Sequence, residues 1–400
     1  MATPPDRRIL LVDCDQFFVQ CARIADPDGA GREELLLVGG SAASRGVITS
    51  ASYATRAFGV RSGMPTAQAL RLCPGARVVP VPRRVCSEKS DEVHAVLESF
   101  TPVVERASID EAYLDLSGTE ALYHNEPLRD TAQRVKDEVA RRTGIVVSVG
   151  GGSNRLIAKL AVRRAKPSGV HVVEPGSELD FMRGIDLAAI PGVGPVFQEE
   201  LRRFGLVRAA DALEHDLTTL VGWLGPRGEW LYERVRGIDE SAVEVHADAK
   251  SISRDETFAR DLNDDDDLRR ELLALATRAA ADLREAGLRA RTITVRIRDA
   301  DFRNRSASRT VEEPLESDRA IVSVARDLLD TLRQRRRTPA RLLSVALSNF
   351  DGGGRRQLGL FGDEAAALES ARDRDLSRAL DAVRSRFGRG AIRPGRLIDD

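Results

Sequence analysis

The sequence predicts an α+β chain of several domains, and three observations carry that expectation. Strand-like and helix-like stretches alternate from residue 7 to about 165. A glycine-punctuated helical stretch follows, from about 175 to 237. Residues 250–348 then read strand, helix, strand, strand, helix, strand, the order of a small β-α-β-β-α-β sandwich. At 400 residues the chain is too long for one ordinary domain. Its composition, 42% apolar and 31% charged, is that of a globular chain, and with 4% aromatics the cores fall to Leu, Val, Ile and Ala.

Ile9-Leu10-Leu11-Val12 reads as a buried strand running into Asp13-Cys14-Asp15-Gln16-Phe17-Phe18. Short strands at 35–38 and 47–49 precede turn signals between Phe58 and Pro65 and a helix near 66–72. A strand over Arg77 to Val81 leads into a helix at about 87–100. Val103-Val104 and the alternating run Ile109 to Leu116 are strand-like. Ala132, Val135 and Val139 recur at helical spacing and predict a helix over 128–142. The strand Ile145 to Val149 ends in Gly150-Gly151-Gly152, and Ser153 is expected to cap a helix running to about Ala165. Further on, helices at 265–286 and 318–336 are interleaved with strands at 291–298, 306–312 and 341–348. Gly352-Gly353-Gly354 predicts a flexible linker, and Leu368 to Phe387 an amphipathic helix.

Several function classes are excluded at this level. No apolar run approaches the roughly 18 residues that span a bilayer. The polar, proline-containing start does not read as a secretory leader, so a cytoplasmic chain is expected. Cys14, Cys21, Cys73 and Cys86 show no CxxC spacing, which leaves buried reduced thiols rather than a zinc or redox motif. The net charge of −1 hides segregation. Asp255 to Asp267 carries seven acids, whereas Arg284 to Arg341 carries fifteen arginines against nine acids. Guanidinium forks suit phosphate oxygens.

Asp13 stands where a hydrophobic strand ends, and Asp110 and Glu111 sit on a second apolar strand between Ile109 and Ala112. Carboxylates in such runs are costly unless something compensates them. For either run alone, an edge hairpin with its acids in solvent is the plain alternative. Two such runs without a histidine cluster favour a shared cation, and all-oxygen ligands select Mg²⁺. Two such ions about 4 Å apart serve in-line attack at phosphorus.

Four stretches resemble the Y family of translesion DNA polymerases, of the bacterial polymerase IV type. They are Leu11 to Phe18, Ser52-Tyr53-Ala54-Thr55-Arg56-Ala57-Phe58-Gly59-Val60, Ser108 to Asp115, and Ser153-Asn154 to Lys159 with Ala165-Lys166-Pro167-Ser168-Gly169. Their order and spacing fit over about 350 of the 400 residues. The resemblance implies a right-hand polymerase: a ferredoxin-like palm (1–18 and 76–170), small fingers (19–75), a helical thumb with a helix-hairpin-helix (171–240) and a linker (241–249). A β-α-β-β-α-β little finger (250–348) and a flexible tail (349–400) complete it.

By position, the resemblance makes Asp13 and Asp110 bridging metal ligands, has Glu111 complete the catalytic site, and has Cys14 lend a backbone carbonyl. Phe18 becomes the steric gate against a 2′-hydroxyl, and Tyr53, Arg56 and Lys166 hold the triphosphate of a deoxynucleotide. Mg²⁺, replaceable by Mn²⁺, is the implied cofactor. The two glycines of Ile190-Pro191-Gly192-Val193-Gly194 let backbone N–H groups approach a phosphate at a helix start. Strand alternation puts Arg296 and Arg298 on one face, suited to DNA backbone. Gln357-Leu358-Gly359-Leu360-Phe361 resembles the peptide by which bacterial polymerases dock on the sliding clamp. The expected activity is error-prone, template-directed primer extension by a monomer without proofreading. A non-catalytic Y-family adaptor of a mutagenesis complex is the alternative, argued against by the intact Asp13, Asp110 and Glu111. A nucleotidyl cyclase shares a two-metal palm but leaves the hairpin and the basic unit unexplained.

Overall fold

Ile9, Leu10, Leu11 and Val12 are at most 1% exposed because their strand lies in the middle of a sheet covered on both faces. The computed structural model describes residues 7–245, 249–351, 368–388, 390–392 and 395. The chain divides into two units, Met1–Ala247 and Asp248–Asp400. In chain order the first holds β1 (Ile9–Cys14), α1 (Phe17–Ala25), β2 (Leu36–Gly39), β3 (Ile48–Ala51), α2 (Tyr53–Arg56), α3 (Thr66–Leu72) and β4 (Arg77–Val79). Then come α4 (Arg83–Glu98), β5 (Val104–Arg106), β6 (Glu111–Asp115), α5 (Leu128–Thr143), β7 (Val147–Gly152), α6 (Arg155–Ala165) and β8 (Val170–Val172). Helices α7 (Glu178–Arg183), α8 (Pro195–Arg203), α9 (Ala209–Leu213), α10 (Leu217–Leu224) and α11 (Pro226–Val235) follow, around a core they share with Leu156, Ile157, Leu160 and Ala161 of α6.

The main sheet has the order β5-β6-β1-β7-β8, antiparallel except for the β7–β8 pair. Alternation along β1 assigns its two faces. Leu10, Val12 and Cys14 join a core with Val93 and Leu97 of α4 and Val135 and Val139 of α5. Ile9 and Leu11 pack with Tyr113 of β6 and with Ala158 and Val162 of α6. Asp13 therefore projects on the α6 side.

The glycines 150–152 continue β7 rather than ending it. A Cβ at Gly150 would stand 2.2 Å from Val162 N and 2.3 Å from Ala158 O, so the glycine exists to let α6 lie on the strand. The cap of α6 is Asn154, whose side chain accepts from Ile157 N, while Ser153 Oγ donates to Glu178 instead. A second departure concerns Arg77–Val79, expected beyond the fingers boundary at 75. It pairs parallel with β2 in the small sheet β3-β2-β4, because Val78 and Val79 complete the cores beneath that sheet.

The second unit follows the expected order: β9 (Ser251–Leu262), α12 (Asp265–Glu285), β10 (Arg289–Asp299), β11 (Asn304–Leu315), α13 (Asp318–Arg335) and β12 (Ala340–Asp351). The antiparallel sheet β11-β10-β12-β9 buries Ile293, Val295, Ile297, Leu343, Val345 and Leu347 against α12 and α13. The expected tail is not free throughout. β12 runs on to Asp351, and α14 (Ala371–Phe387) docks on the same unit. Glu369 accepts from Glu316 N and Ser317 N at the start of α13, Ser377 Oγ accepts from Asp318 N, and Arg284 grips Asp381 and Asp318. The peptide Gln357-Leu358-Gly359-Leu360-Phe361 lies outside the described residues. No described helix is long and apolar enough to cross a membrane.

Candidate active site

Asp13, the next-to-last residue of β1, is paired in register with Glu111, the first residue of β6. Directly opposed residues on neighbouring strands share a face, so both carboxylates look toward α6. Cys14 N donates to Asp110 O at 2.9 Å, which fixes Asp110 one step beyond the paired strands. Its carboxylate accepts from Ser108 Oγ at 2.6 Å. The structure thus brings Asp13 and Glu111 together and leaves Asp110 beside them, turned to Ser108.

Two lysines answer this charge. Lys159 and Lys166 lie seven residues apart, two turns along one side of α6 and its C-cap. Lys166 Nζ donates to Asp13 Oδ1 at 2.6 Å, and Lys159 Nζ donates to both Glu111 oxygens at 2.5 Å. Burial pushes the Asp13 carboxyl up to about 7, against the pull of Lys166 and with a further push from Glu111. Burial acts upward on Glu111 too, but the hydrogen bonds and charge of Lys159 outweigh it and hold that carboxyl below its usual range.

Behind this pair lies Asp15, 2% exposed, accepting from Ser148 Oγ at 3.0 Å and from Ser168 N at 2.6 Å. Gln16 adopts the left-handed conformation at φ 42°, which turns the chain from β1 into α1. Its Oε1 accepts from Tyr53 N at 2.9 Å and so binds the start of α2 to the end of β1. Ser52 caps α2. One helical turn then places the Arg56 guanidinium 4.8 Å from the centre of the Tyr53 ring, with Arg56 Nε donating to Ala51 O. Burial, and next the Asp15 carboxylate, push the Tyr53 hydroxyl well above its usual range. Phe17 is core at 1% exposure, while Phe18 is partly buried, edge-on to it at 5.5 Å.

Among the described residues no three His, Cys, Asp or Glu side chains stand converged on a metal ion. The donor chemistry nevertheless fits a hard divalent cation: oxygen ligands alone, one of them a buried carboxylate whose charge burial disfavours even beside Lys166 and a cation would stabilise.

Away from the carboxylates, Gly194 caps α8, with Pro195 in the first helical turn. Gly192 has φ +98° and faces Trp230, whose ring a Cβ would meet at 2.9 Å. In the second unit Arg296 and Arg298 share the face of β10 turned away from the helices, among Thr292, Thr294, Ser306 and Ser308. The basic cluster read from the sequence divides at this point. Arg305 is drawn to the buried Asp299, and Arg309 pairs with Asp327 of α13.

Lys159, Gln16 and Asp15 were not assigned roles by sequence. The seven-residue spacing of the two lysines on one predicted helix is the signal that could have found Lys159.

Comparison with known proteins agrees with this geometry. Residues 12–163 match the impB/mucB/samB family and residues 249–360 its C-terminal domain. The chain is 32% identical over 390 residues to DNA polymerase IV of Dehalococcoides mccartyi (strain CBDB1), covering 98% of this chain and 97% of that protein. It is 34% identical over 393 residues to DNA polymerase IV of Desulfatibacillum aliphaticivorans, with the same coverage. A solved Y-family DNA polymerase chimera of Dbh and Dpo4 superposes with a TM-score of 0.77 at 26% identity, covering 86% of this chain and 98% of that one. The chain therefore belongs to the Y family of DNA polymerases and is a DNA-directed, metal-dependent polymerase of the DNA polymerase IV group.

Proposed function

We propose that the chain extends primers by two-metal phosphoryl transfer, tolerantly enough to pass lesions at the cost of errors, and without proofreading. The observation that carries this reading is the facing pair Asp13 and Glu111 with Asp110 beside it, at strand ends bordered by Lys159 and Lys166. Asp13, Asp110, Glu111 and the carbonyl of Cys14 would hold Mg²⁺, with Mn²⁺ able to replace it. Bound there, the ions would lower the pKa of the primer 3′-hydroxyl and offset charge on the transferring phosphoryl. Tyr53, Arg56 and Lys166 hold the triphosphate. Lys166 is already aimed across Asp13, and the Arg56 guanidinium is held against the Tyr53 ring. Phe18, at the start of α1, sits under the sugar and excludes a 2′-hydroxyl.

In this reading the main sheet is the palm, β2 and β3 with α2 and α3 the fingers, and α7 to α11 the thumb. There the Gly192–Gly194 turn takes a phosphate of the duplex. The hydroxyl-rich outer face of β10 and β11, with Arg296 and Arg298, follows the DNA backbone in the little finger. The fingers segment is short, which leaves the nascent pair loosely enclosed and underlies the tolerance. Gln357, Leu358, Leu360 and Phe361 dock the chain, a monomer, on the sliding clamp.

Primer extension tests the reading. Full-length protein should add deoxynucleotides to a primed template, and Asp110→Ala should abolish addition while leaving DNA affinity within a few-fold, since no phosphate contact is removed. Extension by Asp110→Ala near the wild-type rate would sink the catalytic assignment. DNA binding without extension by the wild-type protein would favour the adaptor.

A further inference from the structure

Lys159 has the closest carboxylate contact in the site and lies outside the residues proposed to hold the triphosphate. Its ammonium reaches both oxygens of Glu111 from α6, and the two side chains are 22% and 23% exposed. The base of the helix is fixed. Asn154 caps it, and its backbone at Ala158 and Val162 lies directly on Gly150. Lys159 is thus presented to Glu111 by a rigid element.

Two consequences follow from charge. Without Lys159, the register partners Asp13 and Glu111 would face each other with Lys166 as the nearest compensation, and opposed like charges on neighbouring strands repel. With it, a divalent ion approaching Glu111 meets a carboxylate already neutralised through both oxygens, and two cations cannot take the same partner at close range without mutual repulsion. Lys166 does the equivalent at Asp13, but an arriving triphosphate draws it away. Lys159 is instead engaged by both oxygens of Glu111.

On the reading of Asp13, Asp110 and Glu111 as ion ligands, we propose that Lys159 is a positioning residue that holds Glu111 in the metal-free site and yields it as metal enters. The lysine thereby sets how much metal the site needs.

The test uses the full-length chain without DNA or nucleotide, titrated with Mn²⁺, the free ion being read by electron paramagnetic resonance. Lys159→Met and Lys159→Gln remove the charge, and Lys159→Arg keeps it; circular dichroism checks that each is folded. Both neutral variants should bind Mn²⁺ at least about three-fold more tightly than wild type, as expected for loss of a partly exposed competing pair. Lys159→Arg should stay close to wild type. The neutral variants should also melt lower without metal and gain more from saturating Mn²⁺, a split that mere loss of packing would not produce. Unchanged or weaker Mn²⁺ binding by the neutral variants overturns the proposal. Glu111→Gln, run alongside, separates the two levels. If it binds Mn²⁺ as wild type does, the ligand reading itself fails. If it binds more weakly while the lysine variants gain nothing, the role of Lys159 alone fails.

Discussion

His94, on α4 within the first unit, is buried at 2% exposure. Burial depresses its pKa below the ordinary 6.5, more than its hydrogen bond to Ser90 raises it. Nδ1 lies 2.7 Å from Ser90 O, so Nδ1 carries the proton and donates, which leaves Nε2 buried with no hydrogen-bond partner among the described residues. A ring whose folded-state value lies below its unfolded one costs stability once the unfolded chain begins to take up the proton. The contribution is complete above about 6.5 and is lost as pH falls below it, by at most about 1.4 kcal/mol per pH unit. His94→Gln should flatten the acid limb of stability measured by denaturant unfolding between about pH 5 and 8. An unchanged slope would place the acid sensitivity elsewhere. Phe18 belongs to the same scale. Phe18→Leu should raise incorporation of ribonucleotides relative to deoxynucleotides on one template, and equal discrimination by both proteins would move the gate to another side chain. The carboxylates were legible in the sequence because charges interrupting apolar strands stand out against their neighbours. The pairing of Lys159 with Glu111 was not, since the two are 48 residues apart and meet only when α6 crosses the sheet.

At the scale of elements, β7 shows what periodicity cannot see. Three glycines in a row read as the end of a strand, yet the structure uses them to let a helix approach the sheet backbone. Gly150→Ala puts a methyl 2.2 Å from Val162 N, an atom that cannot move without α6. Overpacking of this kind costs about 1–3 kcal/mol. The melting temperature of Gly150→Ala should fall, and primer extension at a permissive temperature should fall as well, because Lys159 and Lys166 are carried on the displaced helix. A drop in stability with full activity would show that the site tolerates movement of α6. The small sheet carries a related lesson. Arg77–Val79 follows α3 closely in sequence, and nothing local tells whether it joins the sheet before it or the one after. The pairing is decided by which core Val78 and Val79 complete. The β-α-β-β-α-β order was legible because its two long helices and its alternating strands carry strong, distinct periods.

For the whole molecule, the near-zero net charge conceals a polar sheet face that bears Arg296 and Arg298 among hydroxyl side chains. DNA affinity should fall steeply with salt, and replacing both arginines by Ala should flatten that dependence and weaken binding alike on unrelated sequences. A loss confined to certain sequences would mean that bases are read. The docking of α14 bears on a different matter. β12 ends at Asp351, and Glu369 is again held on the same unit, so the described residues on either side of positions 352–367 both belong to it. A single protease cut there would not set the remainder of the chain adrift. It would exchange a covalent tie for the grip of Arg284 on Asp381 and of Arg378 on Glu316. That grip is ionic and weakens with salt, so the severed piece should co-elute with the body in dilute buffer and part from it in brine.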